Sequence, residues 1–505
     1  MSLDVVVLDG ATLTAPAVAR VARAGASVEL ADEATGRNEA ARIALAALLK
    51  RGEPIYGVST GVGSLREYPI HDDPSAYSLR LLRSHACGAG SVVPVDLVRA
   101  AMVVRANQLG AGGAGVANEL LDTLVALLNA GLTPFTRELG SLGTGDLTAL
   151  ADIGLALLGE GRVWRRDQLI DAAQALIEAD IPPARLGPRD GLAFISSNAV
   201  TIGHAALLVV DVHRMFDAWL SVAALSFEAA GADPIVLDPR IHSARHRPGQ
   251  SAVAARMREL LAGLKPRVRD RAPLGVQDPY PFRALPQVDG AVHEALTALE
   301  KTVGHELNFA GENALIVPDS GIALPNGNPH AAPLAGAIDH LRTALAQSAA
   351  LIAARVSTLL DSSLTGLPPF LARRPGPESG ALVVEYTAHA AAAEVRSLVT
   401  PVAAQTVAVS RGVESHSSLA PIAARRAHET LQALRVLIAT ELVVAVRALR
   451  LGQHQPSGTG TRALFDSAAA KLNPDLDDRP LHPDIEIARI MIDDWKPNAG
   501  SEPRP

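Results

Sequence analysis

Apolar positions along most of this chain follow helical spacing. They recur roughly every three to four residues from Leu97 to Leu109, Ala117 to Ala130 and Leu147 to Leu158, with glycine-rich breaks between, and predict three helices. Beyond about Asn198 the stripes lengthen. Val200 to Gly231, Ala252 to Leu264, Asp289 to Asn308, Ala332 to Leu360 and Ile422 to Leu451 hold few internal Gly or Pro, as helices of a bundle do. Residues 1 to about 30 instead alternate short apolar runs with Gly and Pro, which suggests one or two strands before a first helix near Thr35 to Arg51. The pattern predicts a mainly α chain: a smaller mixed N-terminal region over 1–197, a long helical bundle over 198–496, and a polar, proline-rich flexible tail over 497–505.

Composition sharpens this picture. Hydrophobic residues make up 48% of the 505 positions but aromatics only 3%, so the helices pack through Ala, Leu and Val. The net charge of −7 comes without a basic stripe, which argues against a nucleic-acid partner. No apolar stretch is read as long enough to span a bilayer without an interrupting charge or proline, so no membrane partner is expected. The single cysteine, Cys87, excludes an internal disulfide framework and fits a reducing compartment. An acid inside the first apolar run, at Asp4, does not suit a signal peptide, and a cytoplasmic location is expected.

Two generic motifs need weighing. Gly110-Ala-Gly112-Gly113-Ala-Gly115 satisfies a dinucleotide pattern but follows a predicted helix where a phosphate-binding turn needs a strand, so it reads as a helix-to-helix turn. Gly57-Val-Ser59-Thr-Gly61 satisfies the nucleophile elbow of serine hydrolases, and a short strand at Ile55-Tyr56 would suit it. A Ser59 hydrolase would also need strands alternating with helices along the chain, and the pattern lacks them.

A longer string displaces that reading. Tyr56-Gly-Val-Ser59-Thr-Gly61-Val-Gly63 resembles the "YGxNTGxG" loop of histidine and phenylalanine ammonia-lyases. Ser84-His85-Ala86-Cys87-Gly88 is similar to "SHAxG", Gly140 to Leu147 to a shortened "GSVGASGDL", and Gly187 to Ala193 to "GPKEGLA". In the same family order follow Asp238 to His242, Gln277-Asp-Pro-Tyr280, Arg283, Asn313, Asn326 to His330, and Glu414 with His416. On these strings the chain is identified as a member of the aromatic amino acid ammonia-lyase family. The resemblance implies an ammonia-lyase/fumarase-like helical fold and a homotetramer whose active sites each draw on three subunits.

Removing an amine from an α-amino acid needs a strong base for the β-proton, a carboxylate anchor and a good leaving group. Tyr56 is the candidate base, a phenol that donors or cations must hold partly ionised, and the resemblance gives it the same task. The guanidinium of Arg283 suits a carboxylate, gripping two oxygens at once. The resemblance places Tyr280 and Glu414 among the catalytic groups, and Gln277 and Asn313 around carboxylate and amine. It sets His85 with Glu414 at the substrate ring, where a histidine and a glutamate mark the histidine-specific branch; together they offer an imidazole a donor and an acceptor. Ser196, Glu385 and Tyr386 complete the expected substrate contacts, although Ser196 stands where the family has Asn and the sequence around Glu385-Tyr386 departs from its pattern.

The family's electrophile, a methylidene-imidazolone, forms from an internal Ala-Ser-Gly. Here the loop reads Gly143-Thr144-Gly145, and Pro329 and Ala332 replace an aromatic and a Glu expected near it. The expectation is an enzyme without that ring and with no other cofactor. It would be a carbon–nitrogen lyase releasing an activated amine, such as trimethylamine, from a histidine betaine, as the ergothionase branch does. The small-molecule substrate is then an amino acid or betaine. Alternatives are an ammonia-lyase or aminomutase with a ring made from Gly143-Thr144-Gly145, and a non-catalytic member of the same fold.

Overall fold

The computed structural model describes residues 5–265 and 277–496, so the expected tail at 497–505 lies outside the described residues. The chain gathers into two units that are interleaved along the sequence. The first holds Met1–Val210, Leu299–Ile338 and Pro401–Arg425; the second holds Asp211–Ala298, Asp339–Thr400 and Arg426–Pro505.

The chain is mainly helical, with long helices at Ala199–Ala230, Leu285–Leu307, Ala332–Leu360 and Ala420–Leu451, close to the stripes read from spacing. All the described strands lie in the first unit. Val5–Leu8 pairs in parallel with Ser27–Leu30, and Leu132–Pro134, Arg162–Arg165 and Gln168–Asp171 form an antiparallel sheet. Two antiparallel pairs, Ala89–Val92 with Arg137–Leu139 and Leu315–Val317 with Ile322–Leu324, complete the set.

The sequence reading missed a first helix at Ala15–Ala24. Thr14 caps it by accepting from the Ala17 N–H, Pro16 stands in its first turn, and Gly25 closes it in the left-handed region. Proline there sets φ without removing a needed donor, so what looked like a break is a start. Pro74–His85 follows the same rule, with Asp73 as cap and Pro74 in the first turn.

Two helical stretches, Asp190–Ala230 (the helices Asp190–Ile195 and Ala199–Ala230 with the bend between them) and Ala332–Leu360, are long and apolar enough to cross a membrane by length and composition, which corrects the expectation above. Their apolar windows are 89% and 67% buried inside the structure, as in the core helices of a folded bundle.

Within the second unit, three helices converge on a buried polar network. Arg355 grips Glu441 through two hydrogen bonds, Nε to Oε1 at 2.6 Å and Nη2 to Oε2 at 3.0 Å, and both residues are fully buried. Asp289, also fully buried, accepts from the Ser348 hydroxyl at 2.7 Å. Burial pushes its carboxyl up to about 7, against the opposing pull of Arg355 and the Ser348 hydrogen bond. A carboxyl raised above its unfolded value holds its proton better when folded. Its stabilisation is complete below pH ~4 and is lost as pH rises through about 7. Asp289→Asn should therefore flatten the stability profile between those limits, removing a loss on the order of 3 kcal/mol. Melting temperatures at pH 5 and pH 8 check this, and an equal drop in both proteins would contradict it.

Candidate active site

In the first unit, the loop after helix Asp32–Lys50 carries Tyr56. Residues 56–59 are a turn and Ile55-Tyr56 is not a strand, which removes the setting a nucleophile elbow needs. The Ser59 hydroxyl is spent on its own turn, accepting from the Ile55 N–H at 2.8 Å and donating to the Ile55 carbonyl at 3.4 Å. The hydrolase reading has no support from this geometry. The Gly110 to Gly115 segment ends helix Val95–Gly110, as expected of a helix-to-helix turn.

Gly63, at φ +56°, turns its N–H onto the Tyr56 phenol oxygen at 2.7 Å. It is a backbone donor of the kind that a partly ionised phenol needs. Burial nevertheless raises the Tyr56 pKa, and the neighbouring Glu414 carboxylate raises it further, while the Gly63 N–H and Arg66 pull the other way. Tyr77, on helix Pro74–His85, is near enough to interact electrostatically with Tyr56, and burial raises its phenol too. His85 ends that helix. Its Nδ1 lies 2.8 Å from the Leu81 carbonyl, which can only accept, and 3.0 Å from the Ser84 hydroxyl.

Glu414 closes a tight turn against Val409, whose N–H donates to the Glu414 carbonyl at 2.9 Å. Within it Ser410 and Arg411 are consecutive non-glycine residues in the left-handed region, a strained arrangement often found where a side chain is aimed. The Ser64 N–H donates to the Ser410 hydroxyl at 2.9 Å, so this turn rests on the Tyr56 loop. Thr144 donates its hydroxyl to Glu414 Oε2 at 3.3 Å. Tyr56, Thr144 and Glu414 thus form one cluster.

The Thr144 loop is held on several sides. The Gly143 carbonyl accepts from the Ala331 N–H at 3.1 Å and the Ser418 hydroxyl at 3.0 Å. The Gly145 N–H donates to Asn198 Oδ1 at 3.0 Å, and Asn198 Nδ2 donates to the Pro329 carbonyl. Next to these anchors His330 Nε2 meets His416 Nδ1 at 2.9 Å, the two rings 5.0 Å apart. Both histidines fall in the family-like strings without an assigned role, and Asn198, Ser418 and Tyr77 were not among the expected site residues. The pairing of His330 with His416, 86 residues apart, left no local signal.

Ser196 is buried just after the short helix Asp190–Ile195, and Asn313 accepts from the Asn326 N–H at 3.1 Å. Behind them lies a buried ion pair. Arg105 Nη2 meets Glu312 Oε1 at 2.8 Å, with side chains 1% and 0% exposed. Arg105 also donates to the carbonyls of Ala193 and Phe194 in the last turn of that helix. Arg189, wholly buried, donates to the carbonyls of Gly113, Ala114 and Ala314, and its attraction to Glu312 opposes the lowering of its pKa by burial. The segment carrying Asn313 is therefore clamped from both sides.

The remaining expected residues belong to the second unit. Arg283 stacks its guanidinium 4.9 Å from the Tyr280 ring centroid, and its Nε is buried without a partner, as is Oε1 of Gln287. Gln277 and Tyr280 are exposed. Glu385 accepts from the Ser357 hydroxyl, which also lies 3.0 Å from His389 Nε2, and the neighbouring Tyr386 is exposed. Among the described residues no cluster of three or more His, Cys, Asp or Glu is arranged to hold a metal.

The family model for aromatic amino acid lyases matches residues 13–470. A histidine ammonia-lyase of Caldanaerobacter subterraneus is 34% identical over 96% of both chains, and one of Geobacillus kaustophilus is 37% identical over 88% of both. Among solved structures, the ergothioneine-degrading enzyme ergothionase of Treponema denticola superposes with a TM-score of 0.92 at 28% identity, covering 97% of this chain and 99% of that one. The phenylalanine aminomutase of Pantoea agglomerans gives 0.91 at 28% identity, over 97% and 98%.

Proposed function

Because the chain belongs to the aromatic amino acid lyase family and is a carbon–nitrogen lyase, we propose that it eliminates an activated amine, such as trimethylamine, from a histidine betaine and works without the methylidene-imidazolone. The observation that carries this reading is the Gly143-Thr144-Gly145 loop. Gly143 sits at φ +88°, and a Cβ there would lie 2.0 Å from the Ser418 hydroxyl oxygen. The alanine of Ala-Ser-Gly does not fit that place, and Thr144 gives its hydroxyl to Glu414.

Similarity to ergothionase, solved with desmethyl-ergothioneine sulfonic acid, favours a betaine of the histidine type. The chemistry agrees. Tyr56 as phenolate takes the β-proton, the C–H electron pair becomes the new C=C bond, and the amine leaves with the C–N pair. A quaternary ammonium departs as a neutral amine with no proton to supply. Its fixed positive charge would also offset the burial and the Glu414 carboxylate that keep Tyr56 protonated in the free protein. On this reading Arg283 holds the carboxylate, and His85 with Glu414 orients the imidazole.

Histidine ammonia-lyase relatives support a second reading, loss of ammonia from histidine itself. Ultraviolet detection of the conjugated acrylate separates the two. Nα-trimethylhistidine or its 2-thiol derivative should yield trimethylamine and the matching urocanate, with histidine, phenylalanine and tyrosine far slower. Rapid ammonia release from an unmethylated amino acid, with no product from any betaine, would overturn the proposal.

A further inference from the structure

Closing Gly143-Thr144-Gly145 into a ring would join the Gly145 nitrogen to the Gly143 carbonyl carbon. It would expel the Gly143 carbonyl oxygen as one water and the residue 144 hydroxyl as a second. Both groups consumed at the junction are already engaged. The departing oxygen holds the Ala331 N–H and the Ser418 hydroxyl, and the vanishing N–H is the donor to Asn198 Oδ1. Ala331, Ser418 and Asn198 are 1%, 2% and 1% exposed, so no water stands ready to replace what they would lose. Asn198 cannot answer by turning its amide over, because Nδ2 already donates to the Pro329 carbonyl. The flanks are pinned as well, with Leu419 N–H on the Leu142 carbonyl at 2.8 Å and Asp146 N–H on the Ser197 carbonyl at 2.6 Å.

We infer that Asn198, Ser418 and the Ala331 amide form a clamp that keeps the triplet an open peptide and thereby positions Thr144 against Glu414. The inference rests on the ring-free reading and deepens it. Cyclisation is opposed by the clamp as well as by the identity of residue 144, so supplying serine alone does not restore it.

The test is the intact mass of the full chain in three forms. The unaltered chain and Thr144→Ser should both have the mass of the ordinary peptide. Thr144→Ser combined with Asn198→Ala and Ser418→Ala should contain a fraction lighter by two waters. Loss of two waters from Thr144→Ser alone would overturn the clamp, and so would a folded triple variant showing no loss. A deficit in the unaltered chain would instead refute the ring-free reading itself. Should the triple variant fail to fold, hydrogen exchange on the peptide spanning residues 142–146 decides the matter. Asn198→Ala alone should exchange the Gly145 amide much faster than the unaltered chain, and unchanged protection would sink the clamp.

Discussion

Tyr56→Phe is expected to lower turnover by several orders of magnitude while leaving substrate affinity almost unchanged. The phenol oxygen acts on the β-proton only in the transition state, so its loss falls on the rate of the chemical step. Phenylalanine keeps the ring and removes only the atom that receives the Gly63 N–H. The sign of the pH dependence follows from the raised phenol. The base works deprotonated and burial disfavours that form, so activity of the unaltered enzyme should climb with pH on the alkaline side. Steady-state kinetics across pH check both points, and a Phe variant within tenfold of the unaltered rate would remove Tyr56 from the mechanism. If each site draws on several copies of the chain, mixing Tyr56→Phe subunits with inactive Arg283→Met subunits should restore some activity. A stable, active monomer by light scattering would exclude that arrangement.

The second large effect is on stability. Glu312→Gln should destabilise the first unit by about 3–5 kcal/mol, because it leaves the guanidinium groups of Arg105 and Arg189 buried without their carboxylate. The carbonyls of Ala193, Phe194 and Ala314 remain as acceptors but carry no full charge. The loss should show as a clear fall in melting temperature, with activity lowered even below the transition because Asn313 is the next residue along. A melting temperature unchanged from the parent would mean that these dipoles solvate both cations unaided.

How much of this was legible beforehand follows from the range of each interaction. The long helices were readable because a buried face repeats its apolar positions locally, and Ala332–Leu360 was delimited to the residue. The helix at Ala15–Ala24 was lost because its opening proline was counted among the breaks of the first 30 residues, and Pro74–His85, which also opens on a proline, was not assigned from spacing. The expected site residues came from strings of neighbours, and the structure places Tyr56, Thr144 and Glu414 close together. The partners that hold the Thr144 loop could not be read. Asn198 lies 53 residues from Gly145 and Ser418 lies 275 from Gly143, and no spacing rule connects positions that meet only after folding.

The Ser418 hydroxyl beside Gly143 also bears on descent. A lineage reaching Ala-Ser-Gly one substitution at a time would meet an obstacle whichever step came first. Alanine at 143 would intrude on Ser418 and require a left-handed backbone that its side chain resists. Losing the Ser418 hydroxyl first would strip the Gly143 carbonyl of one of its two donors before any benefit appeared. The loop as it stands is therefore locked against single steps: either first change costs a contact before the second can offset it.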